Sequence, residues 1–231
     1  MASERVNRIL CAADPSGSAE AIDRLLVVAD EQEVDAVVML GDIGGHGVGY
    51  RGVFGALARA RRPVYWVPGA QDVPVERYLQ ESFNIETAFP SLRGVHGTAA
   101  MASGGVLFAG LGGEISDDPR QPRDERDKLS YPRWEAEYRL KVLAEFDYSE
   151  LVLLFWTSPA HKGLQRAGSE AVAELIGTYR PRLVVCGGEP GVEELGRSLV
   201  VAPGRLRDSR YAVADLHKRS ADVLELARPL Q

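Results

Sequence analysis

The residues that could do chemistry stand where short apolar runs stop. Asp14 follows RILCAA (8–13) and opens Asp14-Pro15-Ser16-Gly17-Ser18. Asp42 follows AVVML (36–40) in Gly41-Asp42-Ile43-Gly44, and Gln71 and Asp72 follow Val64–Val67 in Gly69-Ala70-Gln71-Asp72. Thr157-Ser158-Pro159 and Gly187-Gly188-Glu189-Pro190 close two later runs, and Glu114 ends VLFAGLGG. A strand-end carboxylate either caps the next helix and accepts loop N–H groups, or holds a hard cation through oxygen. Asp14 and Asp42 fit both descriptions. With oxygen ligands alone, the ion would be Mg²⁺, Mn²⁺ or Ca²⁺ rather than Zn²⁺.

Other candidates are cationic or neutral. Arg205, in a cluster with Arg207 and Arg210 near the turn VAPG, offers a bidentate phosphate contact that needs no metal. His161, beside Lys162 and Gly163, can contribute to an anion contact, and His46 lies in the loop after the second strand end. Either histidine is otherwise a solvated loop residue. His96 and His217 lie in strand-like runs away from these ends and read as packing or surface residues. GGHGVG (44–49) lacks the Lys-Ser/Thr of a phosphate-binding loop.

The elements that must position these residues alternate. Runs 8–13, 36–40 and 64–67 are strands separated by helical patterns at 16–32 and 50–61, which argues a parallel sheet covered on both faces. Residues 94–102 and 106–111, around Ser103-Gly104-Gly105, predict a hairpin. The densely charged segment 114–130 reads as a solvated loop, with a mobile lid as the alternative. Pro132 opens a helix whose Trp134, Tyr138, Val142 and Phe146 recur every fourth residue and are expected in the core. Strand 151–156, helix 169–179 and strand 183–186 follow. Three β-runs at 199–202, 211–215 and 223–226 close the chain, with antiparallel pairing expected. One domain of 231 residues is expected throughout.

Composition narrows the partners. A net charge of −6 and a pI near 5.4 disfavour nucleic acid. No apolar stretch approaches the length of a membrane span, and MASERVNR lacks a signal-peptide core. Cys11 and Cys186 form no CxxC pair and suit a reducing compartment, so a cytoplasmic location is expected.

The series of strand ends resembles the calcineurin-like metallophosphoesterase superfamily. Its pattern runs D-x-H-G-N, G-D, G-N-H-D/E, a lone His ahead of Ser-Pro or Pro-Pro, G-H-x-H and N-P-G-S, in the order found here. The resemblance implies a four-layer α/β/β/α sandwich, with Asp14 at the first metal ligand and Asp42 at the carboxylate that bridges two metals. It equally implies departures. Ser16 replaces the first His, Ala70 the Asn ligand, Gln71 the His that serves the leaving oxygen, and Thr157 the lone His. Gly188 and Pro190 replace both histidines of G-H-x-H, Ala202 and Arg205 stand in N-P-G-S, and Asp72 keeps the acidic position.

With VPGxQD, GGEI, AEYRLK and HKGL, the chain is similar to a degenerate branch that lacks most metal ligands. The expectation is a binding or regulatory protein with little or no hydrolysis. Its small phosphorylated ligand would be held by Gln71, Asp72, Glu114, Thr157, His161 and Arg205. At most one weakly held Mg²⁺, Mn²⁺ or Ca²⁺ ion is expected, at Asp14 and Asp42. The alternatives are a divergent phosphoester hydrolase using that single ion, and a scaffold with a vacant cleft.

Overall fold

In the computed structural model, which describes residues 5–44, 49–161, 163 and 168–227, the first half alternates strand and helix. It runs β1 (Arg8–Ala13), α1 (Ala19–Glu31), β2 (Ala36–Leu40), α2 (Tyr50–Leu57), β3 (Val64–Val67), α3 (Val75–Ala88) and β4 (Leu92–Gly94). The middle holds β5 (Ala99–Met101), β6 (Val106–Leu111), β7 (Glu114–Ser116), β8 (Ser130–Pro132) and α4 (Arg133–Leu140). Then come β9 (Glu150–Phe155), α5 (Glu170–Tyr179), β10 (Leu183–Cys186), β11 (Gly191–Leu195), β12 (Ser198–Ala202), β13 (Arg210–Asp215) and β14 (Ser220–Glu225).

Two six-stranded sheets result. One has the order β14-β13-β1-β2-β3-β4, and the other β11-β12-β10-β9-β6-β5. Residue parity decides which face each side chain takes. Ile9, Cys11, Val38, Tyr65 and Val67 of the first sheet pack against Phe108, Val152, Leu154 and Val185 of the second. The Tyr65 and Phe108 rings stack across this seam, with centroids 3.8 Å apart and planes 4° from parallel. Their strand neighbours Leu10, Met39, Trp66, Leu107, Leu153 and Val184 turn outward, into a cluster with Leu25, Phe54, Tyr78, Leu140 and Val172 from the helices. This is the four-layer α/β/β/α sandwich, with near-continuous apolar strands because both faces of each sheet are covered.

Several expectations need correction. The helix opened by Pro132 buries Ala136 and Leu140, whereas Trp134 and Tyr138 are 62% and 67% exposed. The stripe at every fourth residue is the outer one. The hairpin around 103–105 forms, pairing β5 with β6. Among the closing runs only β13 and β14 pair with each other; β12 joins the other sheet, parallel to β10 and antiparallel to β11. α3 and β11 were not anticipated.

The charged segment is tied to the backbone around the third strand end. Its end forms β8, paired with β7, and Leu129 N–H donates to the Ala70 carbonyl at 3.0 Å. Val75 N–H donates to the Glu125 carbonyl at 2.8 Å, so the segment clamps both sides of the Gly69–Asp72 loop. His96 sits behind this clamp, buried. Its Nδ1 accepts from Gly112 N–H at 3.0 Å, so Nε2 carries the proton toward the Tyr131 hydroxyl 3.0 Å away. Tyr131 in turn donates to Glu125 at 2.7 Å. Burial, with Arg139 adding to it, pulls His96 down to about 3, and the ring is neutral.

Candidate functional site

Parallel register brings the strand ends together. Asp14 N–H donates to the Leu40 carbonyl and Gly41 N–H to the Val67 carbonyl, so β1, β2 and β3 release their chains side by side. The turn after β12 is tied to the same edge, through a bridge between Ala13 and Arg205 and a bond from Arg207 N–H to the Asp14 carbonyl. From the other sheet come Trp156, Thr157 and Ser158 after β9, and Gly187 to Glu189 after β10. The result is a cleft of about 580 Å³ that straddles the seam between the sheets.

Its backbone is unusual. Asp14, Ser16 and Asp42 take left-handed conformations, with φ of 50°, 48° and 47°. Aspartate tolerates this region better than most residues, and such outliers gather at functional sites. Gly69 is required for a different reason: a Cβ there would lie 2.1 Å from Asp42 Oδ1. The two loops touch backbone to carboxylate.

Both cleft aspartates have protein partners. Ser16 donates to Asp14 at 2.5 Å, and Arg207 Nε stands 3.2 Å from its other oxygen, with Arg205 Nε looser at 3.9 Å. Gln71 N–H donates to Asp42 at 3.0 Å, and the Trp156 indole N–H donates to the same carboxylate. Burial, the largest influence, and nearby Asp14 push Asp42 above the ordinary carboxylate range, against the Gln71 and Trp156 donors and Arg207.

The other predicted residues divide. Gln71, Glu114, Thr157 and Arg205 line the cleft with Asp14 and Asp42. Glu114 is paired with Lys128. The Thr157 hydroxyl is spent on backbone, accepting from Ile115 N–H at 2.9 Å and donating to the Gly113 carbonyl at 3.2 Å.

Asp72 is not at the surface of the cleft at all. It is 0% exposed and sits under the floor, accepting from Gly69 N–H at 2.8 Å and from Ile43 and Gly44 N–H at 3.0 Å each. The Tyr50 hydroxyl adds a fourth donor. A carboxylate that holds three loop amides positions the loop and has nothing left for a ligand. His161 lines a separate recess with Glu193 and Arg219. His46 lies outside the described residues.

Trp156, Arg207 and Glu189 were not among the predicted site residues. The signal for Trp156 was its place: a large side chain with an N–H at a strand end, where the neighbouring ends carry glycines. Gly41, at φ 48°, leaves the space it needs, since a Cβ there would meet the indole at 2.0 Å.

The sequence profile of metallophosphoesterases of the calcineurin superfamily matches residues 48–226. This chain belongs to that superfamily. Among solved structures, TT1561 of Thermus thermophilus is 38% identical with a TM-score of 0.91, over 96% of this chain and 100% of that one. A dimetal phosphatase from Danio rerio, LOC 393393, shares the fold at 13% identity and a TM-score of 0.63, over 96% and 99% of the two chains. A novel archaeal phosphodiesterase shares it at 11% and 0.56, over 95% and 99%. No curated protein matches the chain.

Proposed function

We propose that the cleft of this metallophosphoesterase-fold protein binds a small phosphorylated ligand and hydrolyses phosphoesters slowly or not at all. The chain then works as a binding or regulatory protein. The observation that carries this reading is how Asp14 and Asp42 are engaged. Two divalent ions held close together need several imidazoles and anionic oxygens to offset their charge and lost hydration. Here a guanidinium 3.2 Å from Asp14 and an indole N–H on Asp42 take up the lone pairs that would face the ions. Among the described residues, no group of three or more His, Cys, Asp and Glu side chains converges to hold a metal. The donor set does not fit a dimetal centre.

The same geometry favours an anion bound by guanidinium. Arg207 is anchored on Asp14, whereas Arg205 pairs with it only at 3.9 Å and keeps a 56% exposed side chain. Arg205 is the free fork for a phosphoryl group. Glu114, Glu189, Asp14 and Asp42 line the remaining walls. They repel a bare anion and accept hydrogen bonds, which favours a phosphorylated compound that also carries hydroxyl groups. Gln71, exposed at the mouth, has an amide that binds without giving up a proton at neutral pH. A missing general acid alone costs about 10²–10⁴-fold in rate.

Thermal unfolding in EDTA tests this. A nucleoside monophosphate at about 100 times its Kd stabilises by about 2.7 kcal/mol, or about 5–10 °C for a chain of this size, and more than inorganic phosphate at the same concentration. Arg205→Ala should abolish the shift. Rapid cleavage of an aryl phosphodiester with Mg²⁺, Mn²⁺ or Ca²⁺, lost in both Asp14→Asn and Asp42→Asn, would replace this reading with a single-metal hydrolase.

A further inference from the structure

Most polar side chains around the strand-end cleft are already spent within the protein. Arg207 lies on Asp14, Lys128 on Glu114, and the Trp156 indole N–H on Asp42. Thr157 exchanges hydrogen bonds with the backbone at Ile115 and Gly113, and Ser158 donates to the Gly187 carbonyl. Among the described lining residues, three polar side chains are left: Arg205, Glu189 and Gln71. Arg205 reaches Asp14 only at 3.9 Å. Glu189 and Gln71 are exposed, and neither side chain has a hydrogen bond or ion pair with the described residues. One of the three is a cation, one an anion, and one a neutral amide that serves as donor or acceptor.

The fold sets the cation and the anion side by side. β10 and β12 are parallel neighbours, with Val185 opposite Val201. Glu189 stands three residues beyond the end of β10, and Arg205 three residues beyond the end of β12. The two chains stay in contact there, since a Cβ on Gly204 would lie 2.7 Å from Pro190 Cγ. Adjacent strands run about 4.8 Å apart. Glu189 and Arg205 nevertheless form no ion pair with each other. A cation and an anion that share a rim without pairing offer both charges to one small ligand.

Charge balance says what that ligand carries. Four carboxylates line the cleft against two guanidinium groups. A phosphate ester alone would meet Arg205 but also face Asp42 and Glu189, neither of which contacts a cationic side chain. A hydroxyl group on the ligand would donate to Glu189 and leave its charge in place. An ammonium does both. We infer that the ligand is a zwitterionic phosphoester. Its phosphoryl group sits on the Arg205 fork and its positively charged nitrogen on Glu189, joined by a short linker of about two carbons that suits the strand spacing. Ala13 and Trp156 are the only apolar side chains among the described lining residues, so the cleft has no bed for an acyl chain and takes a free compound. The inference rests on the phosphoryl-binding reading above and names its ligand class.

Calorimetric titration of the full chain in EDTA compares 2-aminoethyl phosphate with 2-hydroxyethyl phosphate, which match in size and differ in ammonium against hydroxyl. The amine should bind about tenfold more tightly, the gain expected for a hydrogen bond between charged groups. Glu189→Gln should bring the two compounds to equal affinity, and Glu189→Lys should make the hydroxyl compound the tighter one. Glu189 is exposed, so both variants should melt with the native protein when no ligand is present. Equal affinity in the native protein, with both compounds lost in Arg205→Ala, would overturn the inference and leave the phosphoryl reading standing. A preference that survives Glu189→Gln would overturn it too, because another carboxylate would then be the partner. So would binding of a nucleoside monophosphate through Arg205 when neither small compound binds. Failure of every phosphate compound would overturn both readings. Competition by phosphatidylethanolamine vesicles would overturn the assignment to a free compound.

Discussion

Replacing Asp72 by Asn asks which of two opposing forces governs the floor of the cleft. Burial of the carboxylate disfavours its charge, and the amides of Gly69, Ile43 and Gly44 favour it. Burial is the larger influence and pushes Asp72 up to about 6, from 3.8. The folded form thus binds the proton more tightly than the unfolded chain, and the stability this confers is fully present below pH 3.8 and lost as pH rises through about 6. The full span, at 1.36 kcal/mol per pH unit, is about 3 kcal/mol. Between pH 5 and pH 8 the remaining loss corresponds to a factor of about ten in the folding constant, or about 1.4 kcal/mol. Asp72→Asn does not titrate, so its own stability lacks this component while every other group behaves alike in the two proteins. Urea unfolding of both at pH 5 and pH 8 isolates it. The advantage of Asp72 over Asn should be about 1.4 kcal/mol larger at pH 5 in the extrapolated unfolding free energies. An advantage that grows with pH would refute the reasoning, because the three amides would then outweigh burial and hold the carboxylate ionised.

Gly69→Ala should cost about 1–3 kcal/mol of unfolding free energy and abolish ligand-induced stabilisation, since its methyl would press on Asp42 Oδ1 from 2.1 Å. Asp117 caps α5, accepting from Ser169 Oγ at 2.8 Å and from Glu170 and Ala171 N–H at 2.9 and 2.8 Å. Burial works against these donors, yet Asp117 is held below the ordinary carboxylate range. Asp117→Ala should therefore cost about 1–2 kcal/mol at pH 7, by chemical denaturation, and progressively less as pH falls below 3.8.

The strands were legible because burial on both faces leaves a short apolar run with a polar stop. β1, β2, β3 and β10 coincide with the runs read from sequence, and those stops lead into the cleft walls. Faces were harder. Trp134 and Tyr138 have core-like chemistry and core-like spacing, but the helix buries the neighbouring Ala136 and Leu140, and spacing alone does not say which stripe turns inward. α3 escaped notice because its buried contacts are few, at Val75, Tyr78 and Ser82, and its outer face carries Leu79 and Phe83. For the site, residue type at a strand end drew attention to Asp14, Asp42, Gln71 and Arg205, which the fold places around one cleft. It failed for Asp72, because a carboxylate that holds loop amides and one that meets a ligand look the same in sequence. Trp156 failed for the opposite reason: its role depends on the glycine at 41, far away along the chain.

The hydrogen bond from Trp156 to Asp42 joins a residue at the end of β9 to one at the end of β2, and these strands belong to different sheets. Most of what holds the sheets together is the non-directional packing of aliphatic side chains, which tolerates small sliding. A directional bond at the rim does not. It works as a vernier between the two halves of the sandwich, and a displacement of an ångström would break it before the aliphatic layer lost much contact. A ligand seated across the same seam becomes a rivet: it must grip β1 and β2 on one side and the ends of β9 and β10 on the other. Its binding energy then opposes separation of the sheets, so occupancy should slow amide exchange in the interior strands of both sheets as well as in the loops that touch it.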